Sequence, residues 1–337
     1  MTDTRSDTVS VVERTRPIAA GGGGGAVVAA HFLGRTAAFV LGEEAMVLVA
    51  PDGEVRRVAV HGGAILATAA DGERIVSGGD DGKLIATDAK GENRTVATDP
   101  KRRWIDHVAL GPDGAVAWSA GKTAFVQGKE LREFEAPSTV GGLAFLPKGF
   151  RLAIAHYNGA TLWFPNALQA APEKLEWKGS HLGVTVNPDC RFLVTTMQEP
   201  MLHGWRLADR QHMRMSGYAV RVTSLGWTVD GRWLATSGAA QLILWPFQTK
   251  DGPMGKQPRL LAPSEHRIAV VACHPGQDIV AAGYADGMVL LVRVEDGAEI
   301  LAKKPGDAPV TALAWSADGL LLAFGTESGE AGVIDLA

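Results

Sequence analysis

The residues that could do chemistry in this chain are few and scattered. Gly121-Lys122-Thr123 has the ending of a phosphate-binding loop, in which backbone N–H groups at a helix N-terminus cradle the phosphates. Residue 116, however, is Val where that motif requires Gly, and the flanking runs read as strands. No GxSxG nucleophile elbow and no HExxH zinc helix occurs. The two cysteines, Cys190 and Cys273, form no CxxC pair and have no near partner in sequence, which argues against a disulfide framework or a zinc site. The nine histidines are spread along the chain. Asp106-His107 is the one adjacent polar pair set in otherwise apolar strand sequence, and one pair supplies no nucleophile, base and oxyanion donor together. The run Gly21–Gly25 reads as a flexible connector. No catalytic residue, metal or cofactor is expected.

Composition sets further bounds. Hydrophobic residues make up 46%, which suits a globular protein with a substantial core. No run approaches the roughly 18 apolar residues of a membrane span, and Met1–Ile18 lacks the continuous apolar core of a secretory signal, so a cytoplasmic location is expected. The net charge of −4 gives no push toward nucleic acid, whose affinity rests on cations that neutralise phosphates.

The elements that must position any site emerge from a repeat. Leu110-Gly-Pro-Asp-Gly114, Phe145-Leu-Pro-Lys-Gly149, Val186-Asn-Pro-Asp-Cys190, Trp227-Thr-Val-Asp-Gly231, Cys273-His-Pro-Gly-Gln277 and Trp315-Ser-Ala-Asp-Gly319 share one frame. Thr68-Ala-Ala-Asp-Gly72 fits it as well, and Ala30-His-Phe-Leu-Gly34 fits loosely. The eight anchors are separated by 38, 42, 35, 41, 41, 46 and 42 residues. A short apolar run precedes each turn and another follows it. A second turn, such as Asp81-Gly82, Asn158-Gly159 or Asp286-Gly287, leads to a third run and then a more polar fourth. Runs of four to seven residues bounded by Asp/Asn-Gly turns are antiparallel strands in hairpins, and four of them in about 41 residues make one propeller blade. No unit carries helical periodicity. Within this frame Cys273 stands where Trp227, Trp315 and Phe145 stand, as a core residue, and His31 and His274 take the slot of Ser316.

The frame of apolar strand, Pro-Asp-Gly-like turn, strand, Asp-Gly turn and Leu-Trp resembles the WD-repeat family over 26–337. Trp163, Trp205 and Trp245 lie at or near the family's Trp, and Asp88 and Asp335 keep the following Asp. The resemblance implies an all-β propeller with buried His–Ser/Thr–Asp–Trp networks. Asp81 and Asp286 are the residues expected to keep part of them, and His181 and His266 are the nearest approaches to the family's His.

Eight anchors predict eight blades, with seven as the alternative, in one domain spanning 1–337. Only 18 residues follow Gly319, enough for two more strands. Thr8-Val-Ser-Val-Val12, within a closing segment 8–18, is expected to supply the missing fourth strand, with 19–25 as the connector. The resemblance implies a scaffold or adaptor whose loop rim binds protein partners, as a monomer or within a hetero-complex. Trp104, Asp106, Tyr157, Gln198, Arg221 and Arg267 are the rim candidates, with Asp80 and Glu327 at equivalent turns. Trp, Tyr and Arg are the types enriched at interface hot spots. Trp104 could equally pack on its own loop, and the arginines could merely be solvated. The short basic run Lys101-Arg102-Arg103 suits an acidic peptide better than nucleic acid. Two other classes stay open. One is a propeller enzyme or ligand-binding propeller using the central channel, which would need several inward carboxylates or histidines. The other is an assembly factor for a metal- or cofactor-containing client.

Overall fold

The computed structural model describes residues 10–18, 25–167 and 169–337. They form an all-β propeller, apart from two short 3-10 turns. The strands make seven antiparallel sheets, numbered here by chain order: 27–59, 65–98, 107–135, 142–215, 225–261, 268–303 and 310–335. Six sheets have four strands and the fourth has six.

The anchor turns explain the regularity. Seven of the eight anchor positions have positive φ, all but Gln277, and Cys190 adopts φ 64° in a place the other repeats give to Gly. The preceding Asp fixes the turn by accepting the backbone N–H two residues on: Asp71 from Glu73 (3.1 Å), Asp189 from Arg191 (3.0 Å), Asp230 from Arg232 (2.9 Å) and Asp318 from Leu320 (3.0 Å).

The expectation of eight separate blades is corrected to seven hydrogen-bonded sheets. The difference arises at one junction. The outer strand of one repeat and the innermost strand of the next are a single strand, Glu173–Val186, with no loop to interrupt the ladder. It pairs with Tyr157–Leu162 along its first part and with Leu193–Met197 along its second. Two repeats thus share the fourth sheet. That sheet folds back on itself, because Leu146, Leu162 and Leu175 from its first part pack against Val186, Leu193 and Trp205 from its second. Seven further apolar clusters join successive sheets around the ring.

The N-terminal segment also departs from expectation. Residues 1–9 and 19–24 lie outside the described residues, which removes most of the expected strand Thr8–Val12 and of the connector. Val11–Arg14 is a 3-10 turn. The strand that completes the seventh sheet is Thr15–Ile18, antiparallel to Ala331–Ile334. It is the outer strand, where Pro17 leaves no inner ladder bond unmade. Polar latches tie neighbouring sheets: Arg35 to Asp318 (2.8 Å), Arg74 to the Gly114 carbonyl (2.9 Å), and the Trp315 indole to the Ala272 carbonyl (3.0 Å).

Candidate partner-binding rim

Antiparallel alternation places the entry of each innermost strand and the turn between second and third strands on one edge of the ring. Trp104 lies in the entry loop of the third sheet. Asp99, its carboxylate almost fully buried, organises that loop: it accepts the N–H groups of Lys101 (2.9 Å) and Arg103 (3.1 Å) and the Arg103 guanidinium (2.7 Å). Burial opposes ionisation of Asp99, yet these hydrogen bonds and the Arg103 charge outweigh it and hold the carboxyl below its ordinary range. Ile105 is fully buried, and its N–H donates to the Gly79 carbonyl at 3.1 Å. Its carbonyl lies so close to Gly78 that a Cβ there would meet it at 2.4 Å. Held on both sides, Trp104 faces solvent and is 64% exposed.

Tyr157, at a register shift that also takes in Asn158 (φ 67°) and Gly159 within the strand Leu152–Trp163, is 57% exposed, and its N–H donates to Ser138 Oγ at 2.9 Å. Arg221 and Gln198 come from different sheets and meet at 3.4 Å. Arg267 is exposed and has no side-chain partner among the described residues. Asp106 is placed differently. It is half-buried and accepts the Ser119 hydroxyl at 3.0 Å, so it braces the start of its strand. The neighbouring His107 pKa is lowered by burial, against the pull of Asp106 and a backbone bond at Val140.

The central channel, about 970 Å³, is lined by hydroxyls and imidazoles, among them His31, Thr68, His107, Thr185, Thr196 and Ser224. His31 Nε2 meets Thr68 Oγ1 at 2.8 Å, and burial lowers its pKa to about 4. No carboxylate lines this channel, and no cluster of three or more His, Cys, Asp or Glu suited to a metal occurs among the described residues. Both cysteines are free, and burial pushes the Cys273 thiol up to about 12, which keeps it protonated and non-nucleophilic.

The buried networks differ from those expected. The one with the family's His, Ser and Asp is in the second sheet, where His61 bridges Asp81 (3.0 Å) and Ser77 (2.9 Å). His61 escaped sequence reasoning, although Ser77 sixteen residues on and Asp81 in the turn were its signal. His181 bonds Thr195 at 2.7 Å. In the fifth sheet Tyr218 takes the histidine's part, accepting from Trp245 (2.6 Å) and meeting Thr236 (3.0 Å). His266 is exposed, with its backbone N–H on Ser264, and Asp286 caps its own turn through the Met288 N–H.

A closed ring of small antiparallel sheets around a channel defines a β-propeller. Residues 271–337 match the family model for the WD40 domain of anaphase-promoting complex subunit 4. The chain is a β-propeller whose last 67 residues are similar to a WD40 domain. A solved structure, the computationally designed Ika8 protein, is similar with a TM-score of 0.76 at 17% identity, covering 94% of this chain and 98% of that one. That likeness concerns the fold alone. No curated protein matches the sequence. Solved chains that match number 1796, so the fold by itself selects no particular function. No helix among the described residues is long and apolar enough to cross a membrane.

Proposed function

We propose that the chain is a non-catalytic scaffold or adaptor in the cytoplasm that holds a segment of a protein partner on the loop rim. The observation that carries this reading is the pair Trp104 and Tyr157, 64% and 57% exposed, the first on a loop pinned by buried neighbours and the second at a register shift of its strand. Large aromatic side chains presented to solvent on rigid supports are what binding hot spots require, and an unpartnered apolar surface of this kind is otherwise a cost. Gln198, Arg221 and Arg267 supply polar contacts on the same edge.

The test is affinity purification of the intact protein from its native cells, wild type against a Trp104→Ala, Arg221→Ala double variant, with recovered proteins quantified by mass spectrometry. Loss of a specific partner in the double variant is expected. Equal recovery by both would overturn this rim as the binding surface.

A further inference from the structure

The rim is electrically divided. Its third to sixth sheets present Lys101, Arg102, Lys178, Arg221 and Arg267, all exposed and none in an ion pair among the described residues. Glu176, Glu199 and Glu265 are exposed acids of that arc, and Glu135 there is paired with Lys122 at 2.6 Å. Across the ring, from the seventh sheet through the second, the equivalent loops present Glu43, Asp80, Asp307 and Glu327, again without ion pairs among the described residues, against Lys83 and Lys304. The other charges there are internally committed: Glu44 to Arg57 (3.5 Å), Asp81 to His61 (3.0 Å) and Glu330 to Lys303 (3.2 Å).

The two exposed aromatic residues lie within the cationic arc, as does Val220, 40% exposed beside Arg221. The exposed aromatic anchors and the unpaired cations therefore share one half of the rim, whereas the other half presents acids and only the aliphatic Val28 and Leu66 at its strand entries.

We infer that the cationic arc docks an acidic peptide segment carrying an aromatic or aliphatic anchor residue. This rests on the scaffold reading and names the chemistry of its partner. The anchor packs on Trp104, Tyr157 or Val220 while flanking carboxylates meet Arg102, Arg221 and Arg267. The acidic half fixes the segment's position, since sliding round the ring brings like charges together. A nucleic acid fits less well. Its evenly charged backbone needs an unbroken line of cations, and Glu199 and Glu265 interrupt this one.

Panning a random peptide-display library on the intact protein tests the inference, with fluorescence anisotropy on the enriched peptides. Enriched peptides should carry Asp or Glu around an aromatic or aliphatic residue. Arg221→Glu with Arg267→Glu should weaken them about tenfold or more, and raising NaCl from about 50 to about 300 mM should weaken them further. Glu43→Lys with Asp307→Lys should leave affinity within about twofold at high salt. Basic or uncharged enriched sequences, no enrichment at all, or a loss in the Glu43/Asp307 variant would each overturn the inference. So would an oligo(dT) strand that outcompetes the peptides. Peptides that need Trp104 but ignore the arginine reversals would sink the acidic chemistry and leave the rim reading standing. Peptides indifferent to every rim substitution would sink both.

Discussion

Acid should loosen this ring before any carboxylate titrates, because its buried histidines are held neutral. His203 is fully buried on the third strand from the inner edge of the second repeat in the fourth sheet. Its ring stacks on Trp177 at 4.3 Å and meets Trp205 edge-on at 4.7 Å, and neither nitrogen has a hydrogen-bond partner. Burial first, then the nearby His181, His212 and Arg214, lower its pKa to about 3. His31 is lowered to about 4 by burial. In the unfolded chain both take up a proton near pH 6.5, so below that pH the unfolded state binds more protons and stability falls. The loss begins near 6.5 and ends only at the folded values, about 4 and about 3. Each group contributes about 1.4 kcal/mol per pH unit, hence about 2 kcal/mol by pH 5 and about 4 kcal/mol together. For a chain of this length that is a melting-temperature drop of about 6 °C. Asp81 and Asp99 are lowered carboxylates whose contribution is intact at pH 5, so the histidines dominate this window. Melting curves from about pH 7.5 to about pH 5 should show at least this drop, since His107, His156, His181 and His274 are lowered as well, and His203→Phe, which keeps the stack but cannot titrate, should remove its own share of about 2 kcal/mol. Equal pH slopes in variant and wild type would refute the reasoning.

Two further outcomes concern the supports of the ring and rim. Deleting residues 1–18 removes Thr15–Ile18 and exposes the Ala331–Asp335 edge; the melting temperature should fall by several degrees, and an unchanged curve would contradict closure through this strand. Arg103→Ala leaves the Asp99 carboxylate buried without its guanidinium, so urea unfolding should report a loss of about 2 kcal/mol, whereas a midpoint within error of wild type would show the pair to be dispensable.

The repeat was legible because a turn that needs positive φ leaves a residue signature. Gly at the turn's end and Asp before it recur wherever the chain reverses, and even Cys190 could be aligned from its neighbours. The shared fourth sheet was not legible. Its repeats have ordinary spacing, and nothing in Lys178-Gly179-Ser180 marks the continuation of an outer strand into an inner one. The networks were half legible. His61 stands alone between Val60 and the Gly62-Gly63 pair, and its partners Ser77 and Asp81 lie 16 and 20 residues away. Tyr218 was invisible because a phenol can complete a Thr–Trp link that the motif assigns to an imidazole.

The rim shows the same limit most clearly. In sequence, Lys101-Arg102-Arg103 beside Trp104 reads as a compact basic patch. In the folded chain Arg103 turns inward to Asp99 and the Ala120 carbonyl, and its role is to build the loop rather than to meet a partner. The positive character of the surface comes instead from single residues 43 or more positions apart, Arg102, Lys178, Arg221 and Arg267, which only ring closure gathers along one arc. Asp106 moves the other way, from rim candidate to brace of Ser119. Charge that counts for binding is charge left over after the loops have been built, and a linear window cannot subtract the part that structure uses. For that reason Arg221 and Arg267, isolated in sequence, are stronger candidates for meeting a partner than the conspicuous basic run.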